Sequence, residues 1–374
     1  MSTSLASSLV SSPAAYASPP STFGVAISFG SCLGVSPFAD IRAFDWLFHR
    51  RHDRSEMVVL MGDTVYVDIP KLDHYVAYKQ IWNDRAFRRL FGEIPFLGTY
   101  DDHEIVNDWS TSDGIEQYYD AMAFFDEFVA AKNPPPPPMS AASAWTHTPD
   151  SNSPPGARRR YFTFQRGRHV AGFVLDTRQY ASPVLRGENA TDANESSPDR
   201  TKLGPVQKAD LFEWLTTTTA TYKFIFSSVA WTRCAYKFVQ DGWAAYRHER
   251  NEIFDFIRDR NITGVVLLSA DLHWSGVFHF KEWNLYEITA SPIQSFPLPH
   301  WILNIPNEEK LFSSAMYMHI GELRVVTDGL SSPTLNTTIW KYMYGQPKIA
   351  YSRLWNVHDF VPMNLATHNS TATR

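Results

Sequence analysis

Reactive side chains in this chain stand just after short apolar runs. Residues 25–29 lead into Gly30-Ser31-Cys32, and residues 57–61 into Gly62-Asp63-Thr64-Val65-Tyr66. Residues 95–100 lead into Asp101-Asp102-His103-Glu104, and residues 170–175 end at Asp176-Thr177-Arg178. Residues 265–269 are followed by Asp271 and His273. Short β-rich apolar runs closed by Gly, Ser or Asp read as buried strands. In α/β sheets the loops beyond the carboxyl ends of strands converge, and ligands bind there. Any one of these residues alone is a turn aspartate, an inert buried thiol, a packing tyrosine or a core histidine. Five such places in one chain point to a shared site.

The residue types in that site point to metal. Thiolate, carboxylate, phenolate and imidazole all serve as ligands, and Cys32, Asp63, Tyr66, Asp102, Asp271 and His273 supply all four. Three carboxylates within Asp101-Asp102-His103-Glu104 repel one another unless a cation or solvent intervenes. Two metals about 3.5–4 Å apart, bridged by a carboxylate, suit hydrolysis at phosphorus. Asp63, next to Gly62, is the candidate bridge, because glycine lets backbone approach closely.

The elements that must position these residues alternate strand with helix. Phe38, Ile41, Phe44, Leu47 and Phe48 recur at helical spacing, and one helix is expected over 75–90. Residues 115–131 form another amphipathic pattern, with Tyr118, Met122, Phe125 and Val129 on one face. Prolines 134–138 end it, since proline lacks the donor and clashes with the preceding turn. Further helices are expected over 205–215 and 246–258, with strands at 161–164, 224–226, 285–288 and 323–326. The pattern predicts α/β layers around central sheets: residues 1–22 as a flexible lead-in and 23–374 as one domain, with loop insertions near 133–160 and 182–203. Arg158, Arg159 and Arg160 read as a solvated basic cluster in the first insertion.

Composition narrows the function classes. The 374 residues are 44% hydrophobic and 14% aromatic, ample for a substantial core. A formal charge of −5 argues against a dedicated nucleic-acid binder, which carries a basic excess. Two cysteines, Cys32 and Cys234, make no disulfide framework. No run reaches the roughly 18 apolar residues of a membrane span. The first twenty residues lack the basic start and apolar stretch of a secretory signal, so an intracellular location is the expectation. Oligomeric state is not legible.

Taken in order, these motifs resemble the PhoD-like (alkaline phosphatase D) branch of the metallophosphatases. The matching stretches add Trp243-x-x-Tyr246-x-x-Glu249-Arg250, Leu268-Ser269-Ala270-Asp271-Leu272-His273 and Tyr286-Glu287-Ile288-Thr289-Ala290-Ser291-Pro292 to those above. The resemblance implies a four-layer α/β/β/α sandwich with mixed sheets and a dinuclear centre. It implies Fe3+ held by Cys32 and Tyr66 with Ca2+ beside it, Zn2+ or Mn2+ being alternatives. Asp63 is similar to the bridging ligand, Asp102 to an asparagine ligand, His103 to the general acid, and Asp271 with His273 to the final ligand pair. The implied activity is phosphomonoesterase or phosphodiesterase, a metal-bound hydroxide attacking a small-molecule phosphate ester. Arg178, or Arg250, is the candidate clamp for a phosphoryl oxygen. The chain departs from the pattern at Ala270, where a glycine is usual, and at Ser227-Ser228, where relatives carry an amide or histidine.

Two rival readings stand beside this one. Gly30-Ser31-Cys32-Leu33-Gly34 matches the small-x-nucleophile-x-small turn of a cysteine hydrolase, but leaves Asp63, Asp102 and Asp271 without a role. A binding protein with structural metals is the other, and it leaves His103 without one.

Overall fold

The computed structural model describes residues 23–34, 41–50, 53, 55–68, 71–139, 152–233, 239–299, 310–327, 332–343 and 345–363. The expected lead-in 1–22, Cys234 and residues 140–151 of the first insertion lie outside the described residues.

Strands are numbered in chain order. One sheet joins β1 (Phe23–Gly30), β2 (Met57–Met61) and β3 (Phe96–Thr99) to β13 (Met318–Thr327), β14 (Thr334–Tyr342) and β15 (Lys348–Asn356), in the order β15-β14-β13-β1-β2-β3. The first three pair in parallel, whereas β13 runs antiparallel to β1 and β14 and β15 extend the meander. The second sheet holds β4 (Phe162–Arg166), β5 (Val170–Val174), β7 (Tyr222–Phe226) and β9 (Val265–Ser269). It continues with β10 (Ser275–Phe280), β11 (Leu285–Thr289) and β12 (Lys310–Ser314), in the order β12-β10-β11-β9-β7-β5-β4. Here β5, β7, β9 and β11 are parallel and the edges antiparallel. A two-stranded ribbon of β6 (Leu185–Arg186) and β8 (Val239–Gln240) lies outside both.

Side-chain alternation along β2 fixes the layers. Val58 and Leu60 pack with the helices Arg42–His49, His74–Asn83, Arg85–Phe91 and Ile115–Phe128. Met57, Val59 and Met61 instead meet Phe224, Phe226, Val266 and Leu268 of the second sheet. On the far side of that sheet, Phe173, Ile225 and Leu267 pack with the helices Gly204–Thr217 and Arg247–Asp259. Both faces of the parallel strands are therefore covered, which is why they read as unbroken apolar runs rather than alternating ones. The result is the expected α/β/β/α sandwich with mixed sheets.

The structure corrects three local expectations. The single helix expected over 75–90 is two helices, because Asp84 leaves the helical region (φ −58, ψ 132) and its carboxylate caps Phe87 N at 2.8 Å. The strands β10, β12, β14 and β15 had no expectation. The last two carry polar residues on an exposed face, such as Asn336 and Ser352, which dilutes the apolar signal. The basic cluster is not uniformly solvated: Arg160 pairs with Asp126 at 2.8 Å and Arg159 with Asp210 at 3.3 Å, leaving only the Arg158 side chain largely exposed.

Candidate metal centre

Loops leaving β1, β2, β3, β5, β7 and β9 bring their reactive residues together between the carboxyl ends of the two sheets. Four of them hold left-handed backbone, with φ of +56 at Cys32, +51 at Asp63, +69 at Asp271 and +53 at His273. For non-glycine residues that conformation costs on the order of 1–3 kcal/mol each and persists only where the surroundings over-determine it. Here they do. Glu104 accepts from the backbone N–H of Asp63 (3.0 Å), Thr64 (2.7 Å) and Asp101 (2.9 Å), stapling the loops after β2 and β3. Asp271 N donates to Ser31 Oγ (3.0 Å) and His273 N to Ser291 Oγ (3.2 Å). Gly62, at φ +90, permits a close approach of the loops after β2 and β3, since a Cβ there would lie 2.5 Å from Asp101 Cβ.

One end of the centre mixes donor types. Cys32 Sγ lies 3.4 Å from Asp63 Oδ2, and Tyr66 OH donates to that oxygen at 3.1 Å. Tyr66 OH also lies 3.2 Å from His273 Nε2, while His273 Nδ1 donates to Phe296 O at 2.5 Å. That second bond fixes the tautomer and leaves Nε2 as the lone-pair nitrogen. Burial pushes the Cys32 thiol up, and Asp63 and Asp271 push it further. Burial likewise raises Asp63 and Tyr66, and lowers His273 to about 4. Asp63 Oδ1 is buried with no hydrogen-bond partner among the described residues. A thiol, a phenol, an imidazole lone pair and an unpartnered carboxylate oxygen at one point fit a cation, which would offset all of these penalties together. The same surroundings oppose a cysteine nucleophile, whose thiolate needs a positive neighbour, whereas the charged groups bearing on Cys32 are the carboxylates of Asp63 and Asp271.

The other end is built from carboxylates. Asp101, Asp102 and Asp271 offer oxygens within 4.8 Å of one another, as do Asp102, Asp108 and Asp241. Burial raises Asp271, with Asp241 and Asp101 adding to it, and burial followed by Asp241 and Asp102 brings Asp108 to about 7. Buried Arg178 crosses this end: its Nε donates to Asp101, and its Nη2 lies 2.8 Å from Asp241 and 3.6 Å from Asp102. Asp176 braces the Arg178 loop by accepting from the N–H of Arg178 (3.1 Å) and Gln179 (2.9 Å). Ser228 Oγ donates to Asp101 at 2.8 Å, and Ser227 Oγ is engaged by Val229 O and Trp243 Nε1. Arg250 donates to the Trp231 carbonyl and to Asn251, a role in holding its own helix.

His103 stands where the two ends meet, grouped with Asp63 and Asp102. Its Nδ1 is taken by the Asp68 carboxylate at 2.9 and 3.0 Å, and Asp68 is itself held by Asn107 N at 2.7 Å. Burial pulls the imidazole down, but Asp63, the Asp68 hydrogen bond and Asp102 outweigh it and carry it up to about 11. The Tyr66 ring packs over it at 4.3 Å.

Of the residues singled out from the sequence, Cys32, Asp63, Tyr66, Asp102, His103, Arg178, Asp271 and His273 lie at this centre, whereas Arg250 is engaged with Trp231 and Asn251. Sequence reasoning missed Asp68, Asp108 and Asp241, and did not foresee Glu104 as a brace. Asp68 sits in the same loop as Asp63 and was findable; Asp241 follows the two-residue β8 and carries no local signal.

Comparisons with known proteins bear on the family and the fold. Alkaline phosphatase D of Bacillus subtilis (strain 168) is 26% identical over 259 residues, 65% of this chain. The matched stretch is 40% of that relative's length, so the chain spans well under two thirds of it. The solved structure described as PhoD superposes with a TM-score of 0.67 at 18% identity, covering 93% of this chain and 73% of that one. GAP50, described as the anchor in the inner membrane complex of Plasmodium, reaches a TM-score of 0.50 at 11% identity, covering 89% of each chain. Both structural likenesses speak to fold alone. The family model of the PhoD-like phosphatases matches residues 28–319, from the end of β1 into β13, and the chain belongs to that family.

Proposed function

We propose that the chain is a metal-dependent phosphoesterase acting on small-molecule phosphate esters. The observation that carries this reading is the meeting of a thiol, a phenol, two imidazoles and several aspartates around Asp63, whose Oδ1 has no hydrogen-bond partner among the described residues. Cys32, Asp63, Tyr66 and His273 would hold one ion, and Asp63, Asp102 and Asp271 the other. The donor types favour Fe3+ at the first position and Ca2+ at the second, with Zn2+ or Mn2+ as alternatives. Bound there, the ions supply Lewis acidity that lowers the pKa of a water and offsets charge growing on the phosphoryl oxygens.

The chain's own residues supply orientation and a proton. Asp68 occupies Nδ1 of His103, so Nε2 is the nitrogen that can serve a leaving group. The Asp68 carboxylate on Nδ1 favours the protonated imidazole, the form that an acid for a departing alkoxide must take. Such protonation is worth on the order of 10²–10⁴-fold in rate. Arg178 is buried, and its Nη1 lacks a hydrogen-bond partner among the described residues, a donor suited to a phosphoryl oxygen or to holding the carboxylates apart. The test is hydrolysis of p-nitrophenyl phosphate by the purified chain, lost on chelation and restored by metal. Activity that survives chelation and is abolished by iodoacetamide would overturn the reading in favour of a cysteine nucleophile. No helix among the described residues is long and apolar enough to cross a membrane.

A further inference from the structure

Phe296 is a large apolar side chain left 61% exposed beside the centre. Exposed aromatics are ordinary when scattered on a surface. This one is not scattered, because its ring packs on His273 with centroids 4.4 Å apart, and its carbonyl accepts from His273 Nδ1. The segment beneath it is fixed from several sides. Gln294 N and Ser295 N both donate to Cys32 O (3.1 and 3.0 Å), and Leu298 N donates to His273 O (2.9 Å). A rigid backbone thus holds an aromatic face out to solvent at the rim of a reactive site.

The rings around the centre form a row that gives this face a direction. Phe296 touches His273, His273 meets Tyr66 edge-on at 6.5 Å, and Tyr66 packs on His103 at 4.3 Å. In this row the rings of His273 and Tyr66 separate Phe296 from His103. On the phosphoesterase reading, on which this inference rests, the leaving group departs at the His103 end. The attacking and leaving oxygens take the two apical positions on phosphorus, so a rim ring set two rings away from His103 is left for a group other than the departing one.

We propose that Phe296 is a specificity-determining residue that receives the retained substituent of a phosphodiester, favouring aromatic over small groups there. Ring stacking or apolar contact at one such face is worth roughly threefold to tenfold in kcat/KM.

The experiment compares phenyl p-nitrophenyl phosphate with methyl p-nitrophenyl phosphate on the metal-loaded chain. Both diesters carry the same charge and leaving group, so their ratio of kcat/KM reports only the retained group. Wild type should favour the phenyl ester by roughly threefold to tenfold, Phe296→Ala should bring the ratio near unity, and Phe296→Trp should keep it. A ratio near unity in wild type, or one unchanged in Phe296→Ala, would overturn the proposal. So would equal losses on both esters, which mark Phe296 as a prop for His273. Wild type that cleaves neither diester nor p-nitrophenyl phosphate would overturn the phosphoesterase reading itself, and this proposal with it.

Discussion

The two ends of the candidate centre solve the same electrostatic problem in different ways. At the end formed by Cys32, Asp63, Tyr66 and His273 the donors are sulfur, oxygen and nitrogen, and among the described residues no protein cation stands among their hydrogen-bond partners. At the end formed by Asp101, Asp102, Asp108, Asp241 and Asp271 the donors are all carboxylate, and Arg178 already answers three of them. Lys202 lies there too, its amine lowered to about 7 by burial and then by Arg178. On the proposed reading the mixed end takes its counter-charge from a cation outside the chain, and its donors suit a softer or higher-valent ion. The carboxylate end is partly neutralised by the fold and suits a hard, exchangeable ion.

The largest expected effect comes from the residue both ends share. Asp63→Asn should lose both ions and fall to background hydrolysis, read by elemental analysis beside an activity assay; retention of either ion would break the idea of a shared ligand. His103→Gln comes next. It should keep its metals yet lose on the order of 10²–10⁴-fold in kcat on alkyl esters, with p-nitrophenyl esters largely spared, because only poor leaving groups need the proton. Asp68→Asn should show the same leaving-group dependence more weakly. Equal losses on both ester types would remove His103 from its role as acid.

The smallest effect is on stability, and it concerns the chelated protein. Burial, opposed by the backbone N–H groups of Asp101 and Thr64, raises Glu104 to about 7. An acid raised in the folded state holds a proton that the unfolded chain releases. Its stabilisation is complete below the usual carboxylate range and is lost as pH rises through about 7. Asp63 and Asp271 are raised in the same sense. The lowered Lys202 acts oppositely, adding stability as pH climbs above about 7. The thermal midpoint of chelated protein should therefore fall between about pH 5 and about pH 7, and metal should flatten the slope. A midpoint that rises over that range would contradict the reading.

The difference between the ends also explains what the sequence could show. The mixed end was legible because its residues follow the most apolar strands, β1, β2 and β9, and because Cys32, Asp63 and Tyr66 stand close in short motifs. The carboxylate end was only half legible. Asp102 and Asp271 belong to such motifs, whereas Asp108 stands further along the loop after β3, outside the motif, and Asp241 follows only the two-residue β8. Register brings those residues in, and register is a tertiary property. The same holds for the fold: strands covered on both faces announced themselves, while β14 and β15, exposed on one face and rich in Thr, Asn and Ser, did not. Asp84, which splits one expected helix into two, is legible as a cap only once the break is known.

Metal content measured on the natively purified chain and on Cys32→Ser tests the central claim most directly. The account predicts two ions per wild-type chain, of different kinds, with Cys32→Ser losing the iron-like ion and keeping the hard one. A chain that takes up no metal, or a Cys32→Ser variant with unchanged metal content, would contradict it.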